Sequence, residues 1–371
     1  MSRIGKGRSL ALRTAALALF ALSGIIAPPA LAAEGERVFD PNLSLIGGCK
    51  AESLDPVEDP GCPTTPPEGP HPPEIFRDTR AVATDFHGNI YVASFGKEED
   101  GSKGRIDIFD SSGVFIDQLA PSPPYGPMSL AIDSQGVLYV GGLTVGKQLY
   151  RYIPCVYEPE AGNIEYCNAP VTIASGLDSR PYGLAINVEN DHLFVNSREA
   201  GVVEYSSAAE SNEELRTAAA KGTGMAVNAS NDRIYASHEP GGTSIRRIEI
   251  FDMTSVNGED EYEKVDSIEE PALPGGDIGN LLSVAVDEVS GHVFVHDTEN
   301  KKLYEFDEDG EFVTEIKELT FSGEFGAQIG VDNGPFSPNK GYLYVPSHKT
   351  GTGHSFAFKE VTEGPPVVKS A

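Results

Sequence analysis

The sequence predicts an all-β fold: a six-bladed β-propeller of four-stranded antiparallel blades, with the last blade closed by an N-terminal strand. Three observations lead there. One short unit recurs six times, each unit holds strand-length apolar runs joined by tight turns, and the last unit lacks a strand that the amino-terminal region can supply. The unit reads apolar, small, apolar, acid or amide, then a polar turn, then apolar, aromatic, apolar. Its copies are Val82-Ala83-Thr84-Asp85 with Ile90-Tyr91-Val92, Leu130-Ala131-Ile132-Asp133 with Leu138-Tyr139-Val140, and Leu184-Ala185-Ile186-Asn187 with Leu193-Phe194-Val195. They continue as Met225-Ala226-Val227-Asn228 with Ile234-Tyr235-Ala236, Val284-Ala285-Val286-Asp287 with Val293-Phe294-Val295, and Ile329-Gly330-Val331-Asp332 with Leu343-Tyr344-Val345. A unit repeated every few tens of residues marks a modular array.

Within a unit the apolar runs are short and flanked by turn formers such as His87-Gly88-Asn89, Gln135-Gly136 and Ser290-Gly291, which makes them strands joined as hairpins. The second run is apolar on successive residues, so both of its faces are covered. Third strands follow at Arg105-Ile106-Asp107-Ile108-Phe109, Ile248-Glu249-Ile250-Phe251 and Lys302-Leu303-Tyr304-Glu305-Phe306, and fourth strands at 114–119 and 311–316. Four antiparallel strands, covered on both faces by neighbouring sheets, form a propeller blade. Ala83 and its counterparts fit the inner strand, where the blades converge. The acid or amide two residues on is expected to accept hydrogen bonds from the turn it opens, a structural device rather than a metal ring.

The sixth unit offers Ser355-Phe356-Ala357-Phe358 as a third strand and then runs into Pro365-Pro366. Val38-Phe39-Asp40 with Leu43-Ser44-Leu45-Ile46 repeats the pattern of Ile108-Phe109-Asp110 with Val114-Phe115-Ile116, so the amino-terminal strand is expected to latch the ring and remove an open edge.

The expected organisation is a signal peptide over 1–33, a latch strand over 34–48, a Pro-rich disulfide-containing connector over 49–79, the propeller over 80–360 and a linker over 361–371. Arg3, Lys6, Arg8 and Arg13 precede an apolar run and Ala30-Leu31-Ala32, the pattern of an export signal. That run is shorter than the roughly 20 residues of a spanning helix, so no membrane insertion is expected after cleavage, and the protein is placed outside the cell or at its surface. Cys49 with Cys62, and Cys155 with Cys167, are the expected disulfides in that oxidising setting. The second pair pins an insertion over 153–170 between the third and fourth strands of blade two. The tail, Glu363-Gly364-Pro365-Pro366, is similar to the linkers that open fibronectin-like or immunoglobulin-like domains, and a further module is expected beyond it.

Loss of the signal takes the formal net charge from −28 to −32, because it removes four cations and no acids. Such a surface repels nucleic acid and anionic lipid. The acids are scattered, without the spacing of a calcium-binding helix-loop-helix.

The repeat, together with Asp297-Thr298-Glu299-Asn300 and the stretch through Gly310, resembles the NHL-repeat β-propellers over about residues 36–360. The resemblance implies fold far more than activity. Only the fifth unit keeps the Asp-x-x-Asn stretch after its second strand.

Loops after the second strands and before the first strands emerge on one face, which collects the candidate ligand-binding residues Tyr125, Arg180, Tyr182, Arg198, His238, Glu239, Asp277, His296, Asp297 and His348. His238, His296 and His348 lie three, two and four residues beyond their blades' aromatic residue, so they are expected to be solvated loop histidines rather than one zinc site. Propeller lyases place a histidine directly before an innermost strand. Here those positions read Tyr125-Gly126-Pro127-Met128 and Ser179-Arg180-Pro181-Tyr182. The chain carries no Gly-x-Ser-x-Gly elbow, phosphate loop or His-Glu-x-x-His. The expectation is a monomeric, non-catalytic binding or cell-surface interaction module without a cofactor, for a protein, carbohydrate or small-molecule ligand. A metal-assisted lyase or lactonase acting at the loop-rich face is the alternative.

Overall fold

The computed structural model describes residues 36–40, 43–46, 49–50, 78–95, 104–119, 126–142, 148–174, 180–239, 246–256, 258–269, 278–279, 282–316, 328–349 and 352–360. The expected export signal, Cys62 and most of the expected connector, and the tail lie outside them. The described residues begin with three short strands, β1 (Arg37–Phe39), β2 (Leu45–Ile46) and β3 (Cys49–Lys50). Blade one is β4 (Thr79–Thr84), β5 (Ile90–Ser94), β6 (Arg105–Phe109) and β7 (Phe115–Leu119). Blade two is β8 (Pro127–Ile132), β9 (Leu138–Gly142), β10 (Leu149–Tyr152) and β13 (Val171–Ala174), with the hairpin β11 (Val156–Glu158) and β12 (Asn163–Glu165) inserted before its last strand. Blade three runs β14 (Gly183–Asn187), β15 (His192–Ser197), β16 (Gly201–Tyr205), β17 (Glu214–Ala218), and blade four β18 (Met225–Asn228), β19 (Arg233–His238), β20 (Arg247–Val256), β21 (Glu259–Ile268). Blade five is β22 (Leu282–Val286), β23 (Val293–Asp297), β24 (Lys302–Phe306) and β25 (Phe312–Ile316). Blade six has β26 (Gly330–Val331), β27 (Leu343–Lys349) and β28 (Thr352–Glu360) from the carboxy-terminal end.

Blade six is completed from the amino terminus. β1 and β2 both pair antiparallel with β28, through Phe39 opposite Phe358 and Leu45 opposite Ser355. Between them the ladder is kept by Asp40 N donating to Ala357 O at 2.8 Å, and by Ser44 Oγ, which accepts from Ala357 N at 2.9 Å and donates to Asp40 O at 2.8 Å. β1 and β2 therefore share β28 as their partner, with Ser44 bonded to both Asp40 and Ala357 between them. β3 adds a further strand on β2, which the sequence places in the connector.

Six buried apolar clusters hold the ring, one at each blade-to-blade interface. The second strands are buried along their length in blades one, two and five, as their unbroken apolar runs predict. Fully buried Tyr91, Tyr139 and Tyr235 contribute to this core, each large side chain stabilising by about 1.5–3 kcal/mol relative to exposure.

The recurring acid or amide does what the turn chemistry predicts. Asp85 Oδ1 accepts from His87 N and Asn89 N at 2.9 and 3.0 Å, Asp133 Oδ1 from Gln135 N and Val137 N, Asn187 from Glu189 N, Asn228 from Ser230 N, Asp287 from Val289 N, and Asp332 from Gly334 N. The second carboxylate oxygen faces the aromatic residue of the next strand: Tyr91 OH donates to Asp85 Oδ2 at 3.3 Å and Tyr139 OH to Asp133 Oδ2 at 3.1 Å.

Each turn also clasps its neighbour. Asp191 accepts from Ser134 N at 2.8 Å, Asp232 from Asn187 Nδ2 at 2.6 Å, Glu288 from Ala229 N at 3.4 Å, Asn333 from Glu288 N at 3.0 Å, and Phe86 O from Phe336 N at 3.0 Å. Asp191 and Asp232 hold positive φ where unit five has Gly291, a backbone cost offset by these bonds. At the remaining junction the inserted hairpin, pinned by the Cys155–Cys167 disulfide, reaches back over blade one. His87 Nδ1 lies 2.8 Å from Pro159 O, Asn89 Nδ2 donates to Gly162 O, and Tyr166 packs edge-on against Tyr91 and Tyr152.

Burial pushes the Asp133 carboxyl up to about 7, and nearby Asp191 adds to the rise. A carboxyl raised above its unfolded value stabilises below about pH 4, and that contribution is lost as pH climbs towards 7. Units three and four carry asparagine at the same place. Asp133→Asn should therefore match the parent at pH 4 and exceed it by roughly 2 kcal/mol at pH 8. Melting curves of both proteins across that range check it, and equal pH dependence would contradict it.

Candidate functional site

The inner strands surround a central channel of about 130 Å3. Ala83, Ala131, Ala185, Ala226, Ala285 and Gly330 line it, and at Gly330 even a Cβ would come within 2.7 Å of Val82 O on the neighbouring inner strand. Gln328 lies across the channel towards the loop-rich end. Its backbone bonds to Arg80 O and Val82 N, and its carboxamide reaches over to blades two and three, accepting from Leu130 N at 3.0 Å and donating to Leu130 O at 2.7 Å and Leu184 O at 3.0 Å. At the opposite mouth stand Phe86, Val188, Asn333 and Glu288, whose carboxyl burial holds above its ordinary value.

The loop-rich face carries a connected polar cluster on blades three, four and five. Its centre is Glu239, one residue past β19, with a side chain only 1% exposed. Oε1 accepts from Thr223 N at 3.1 Å, Ser237 Oγ at 3.1 Å, Leu282 N at 3.2 Å and the Thr223 hydroxyl. Oε2 accepts from Arg198 Nη2 at 3.0 Å. Arg198 follows β15 and lies with Cζ 5.6 Å from the centre of the Tyr182 ring. Exposed Arg180 donates from Nη1 to the Tyr182 hydroxyl at 3.1 Å. Four of the residues predicted from sequence thus form one chain of contacts: Arg198 is bonded to Glu239 and stacked on Tyr182, whose hydroxyl accepts from Arg180.

Among the described residues, His238 and His296 belong to no group with the spacing of metal ligands. His296 is a correction to the expectation of a solvated loop histidine: it lies inside β23, opposite Ser283 and Leu303, and is 1% exposed. Burial pushes its imidazole down to about 4. His238 ends β19, half-buried, with Nδ1 accepting from Lys221 N at 3.2 Å and 3.7 Å from Glu249 Oε2; burial lowers its pKa. His348 lies in β27, with its side chain outside the described residues. Tyr125 and Asp277 also lie outside them.

Asp297 is buried at the end of β23 and shapes its own turn. Its oxygens accept from Gly279 N at 2.8 Å, Asn300 N at 3.0 Å and Asn300 Nδ2 at 2.9 Å, which explains the Asp-x-x-Asn stretch. Among the described residues one group has the spacing of metal ligands, Cys155, Glu165 and Cys167, and two of these sulfurs are joined in the disulfide. Also among them, no helix is long and apolar enough to cross a membrane.

Sequence reasoning missed Thr223, Ser237 and Gln328. Thr223 and Gln328 lie two residues before an inner strand and Ser237 is the penultimate residue of a second strand, and a polar residue beside those apolar runs is the available signal.

The chain is a six-bladed β-propeller. No protein-family model and no curated protein matches the sequence. Solved structures with a similar fold include a Bacteroides thetaiotaomicron VPI-5482 protein of unknown function, at 13% identity and TM-score 0.49, covering 78% of this chain and 72% of that one. A Xanthomonas campestris gluconolactonase aligns at 13% identity and TM-score 0.48 over 76% of this chain and 87% of its own. The WD40 repeats of RRP9 align at 12% and 0.47 over 76% and 95%.

Proposed function

We propose that this protein is an exported, NHL-like propeller that serves as a non-catalytic binding or cell-surface interaction module, monomeric and without a cofactor, and that it takes its ligand at the loop-rich face. The observation that carries the proposal is the arrangement around Glu239. The non-repeating groups of that face, exposed Arg180 and Arg198 with half-buried Tyr182 between them, contact one another, while the acids beside them, Glu239 and Asp297, are engaged by intramolecular donors. Gln328 supports the same reading, since its carboxamide is bonded to two other blades across the axis. The Cys155–Cys167 disulfide fits an oxidising compartment, and the charge of −28 disfavours nucleic acid as the ligand.

Elemental analysis separates this from metal-assisted lyase or lactonase chemistry. Purified protein is expected to hold no stoichiometric zinc or calcium after dialysis and to leave simple lactones unhydrolysed. One equivalent of metal per chain, lost in His238→Ala, together with lactone turnover, would overturn the binding-module reading.

A further inference from the structure

Arg198 is fixed at both ends of its contact surface and still faces solvent. Its guanidinium is bonded to the buried Glu239 carboxylate at 3.0 Å and stacked on Tyr182 at 5.6 Å, yet its side chain is 39% exposed. The stacking and the charge-assisted bond restrict its rotamers, so little ordering cost remains when the free guanidinium edge meets a ligand. Among the described residues Nη2 is the one guanidinium nitrogen of Arg198 with a protein acceptor, and Arg180 has one such contact, to the Tyr182 hydroxyl. Two guanidiniums from separate loops, one before β14 and one after β15, thus flank a single half-buried tyrosine, and that of Arg198 is paired with a buried carboxylate.

A planar donor fork with unfilled edges matches a carboxylate. Two such forks beside an aromatic wall suit an anion small enough to reach both. The wider surface sets the size: at −28 the chain repels polyanions at long range, whereas a single negative charge senses the groups within a Debye length of about 8 Å. We infer that Arg180, Tyr182 and Arg198 form a binding site for a small monocarboxylate ligand, either an acidic monosaccharide or a simple organic acid. The inference deepens the binding-module reading and rests on it.

Isothermal and NMR titrations of the full chain with D-glucuronate, acetate and D-glucose test it. Glucuronate, acetate or both should bind at a Kd of about 1 mM, and glucose should not. Tighter binding of glucuronate than acetate identifies the sugar acid, and equal binding the bare carboxylate. Arg180→Gln, an exposed change that leaves Glu239 satisfied, should weaken binding about tenfold, and adding Arg198→Met should abolish it. Raising the salt should weaken binding as well. The inference is overturned if neither carboxylate binds at tens of millimolar, or if Arg180→Gln with an unchanged melting temperature binds as the parent does. Those failures leave the module reading standing with another ligand, whereas lactone turnover with carboxylate binding intact would remove the module reading and keep this site.

Discussion

Replacing Arg37 with leucine is expected to destabilise the protein by about 3–5 kcal/mol, a fall in melting temperature of roughly 10 °C. Arg37 is the first residue of the latch strand and is almost fully buried between blades five and six. Its Nη2 donates to Asp287 Oδ2 at 2.9 Å, Nη1 donates to Gly341 O, and its guanidinium lies 4.7 Å above the Phe294 ring. Asp287 is the recurring turn acid of blade five. In blades one and two the free oxygen of that acid is satisfied by a tyrosine hydroxyl in the next strand, but blade five has Phe294 there. The guanidinium supplies the missing donor, so the amino terminus is keyed to the one turn acid paired with a phenylalanine. Leucine would leave Asp287 buried beside no cation and no hydroxyl. Adding Phe294→Tyr to Arg37→Leu should restore at least half of the loss by rebuilding the pairing of blades one and two. Denaturant unfolding of the parent, single and double variants measures this. No recovery in the double variant would contradict the keyed-latch explanation.

The second large effect is expected at Glu239. Alanine there removes the acceptor for Thr223 N, the Thr223 hydroxyl, Ser237 Oγ and Leu282 N and unpairs Arg198, at a cost of about 3–5 kcal/mol. Because Leu282 opens blade five and Arg198 follows the second strand of blade three, one carboxylate ties three blades on the loop-rich face. Glu239→Gln keeps one acceptor oxygen and should cost only about 1–2 kcal/mol, while releasing Arg198 from its fixed position. Equal melting temperatures for the parent and the alanine variant would show that the staple carries no weight.

Much of this architecture is visible in the residues. Six apolar-small-apolar-acid units dictate six inner strands, the small residue does ring the channel, and the acid does accept from its own turn, because these properties depend on neighbours a few residues away. The latch was legible too, since Val38-Phe39 and Leu43 to Ile46 repeat an outer-strand pattern. The Arg37–Asp287 pair was not. It joins positions 250 residues apart, and the trace in the sequence is a phenylalanine where the other units with a turn aspartate have tyrosine. His296 was misplaced for a related reason. A histidine after an apolar run reads as the start of a loop, but β23 continues through Asp297 because Asp297 is itself needed to hold Gly279 and Asn300. In the candidate site, the residue types and the face are readable, Glu239 included, whereas the burial of Glu239 as an internal acceptor depends on contacts among three blades that no local pattern encodes.

Everything placed on either face depends on the ring being one closed body fastened by its amino-terminal strand. Native-state hydrogen exchange of the full chain tests this directly at Asp40 N and Ala357 N, which bond across the latch to Ala357 O and Ser44 Oγ. A closed ring predicts that these amides exchange only with global unfolding, as slowly as those of β9 and β23. Rapid exchange at Asp40 and Ala357, with β9 and β23 still protected, would show an unlatched sixth blade.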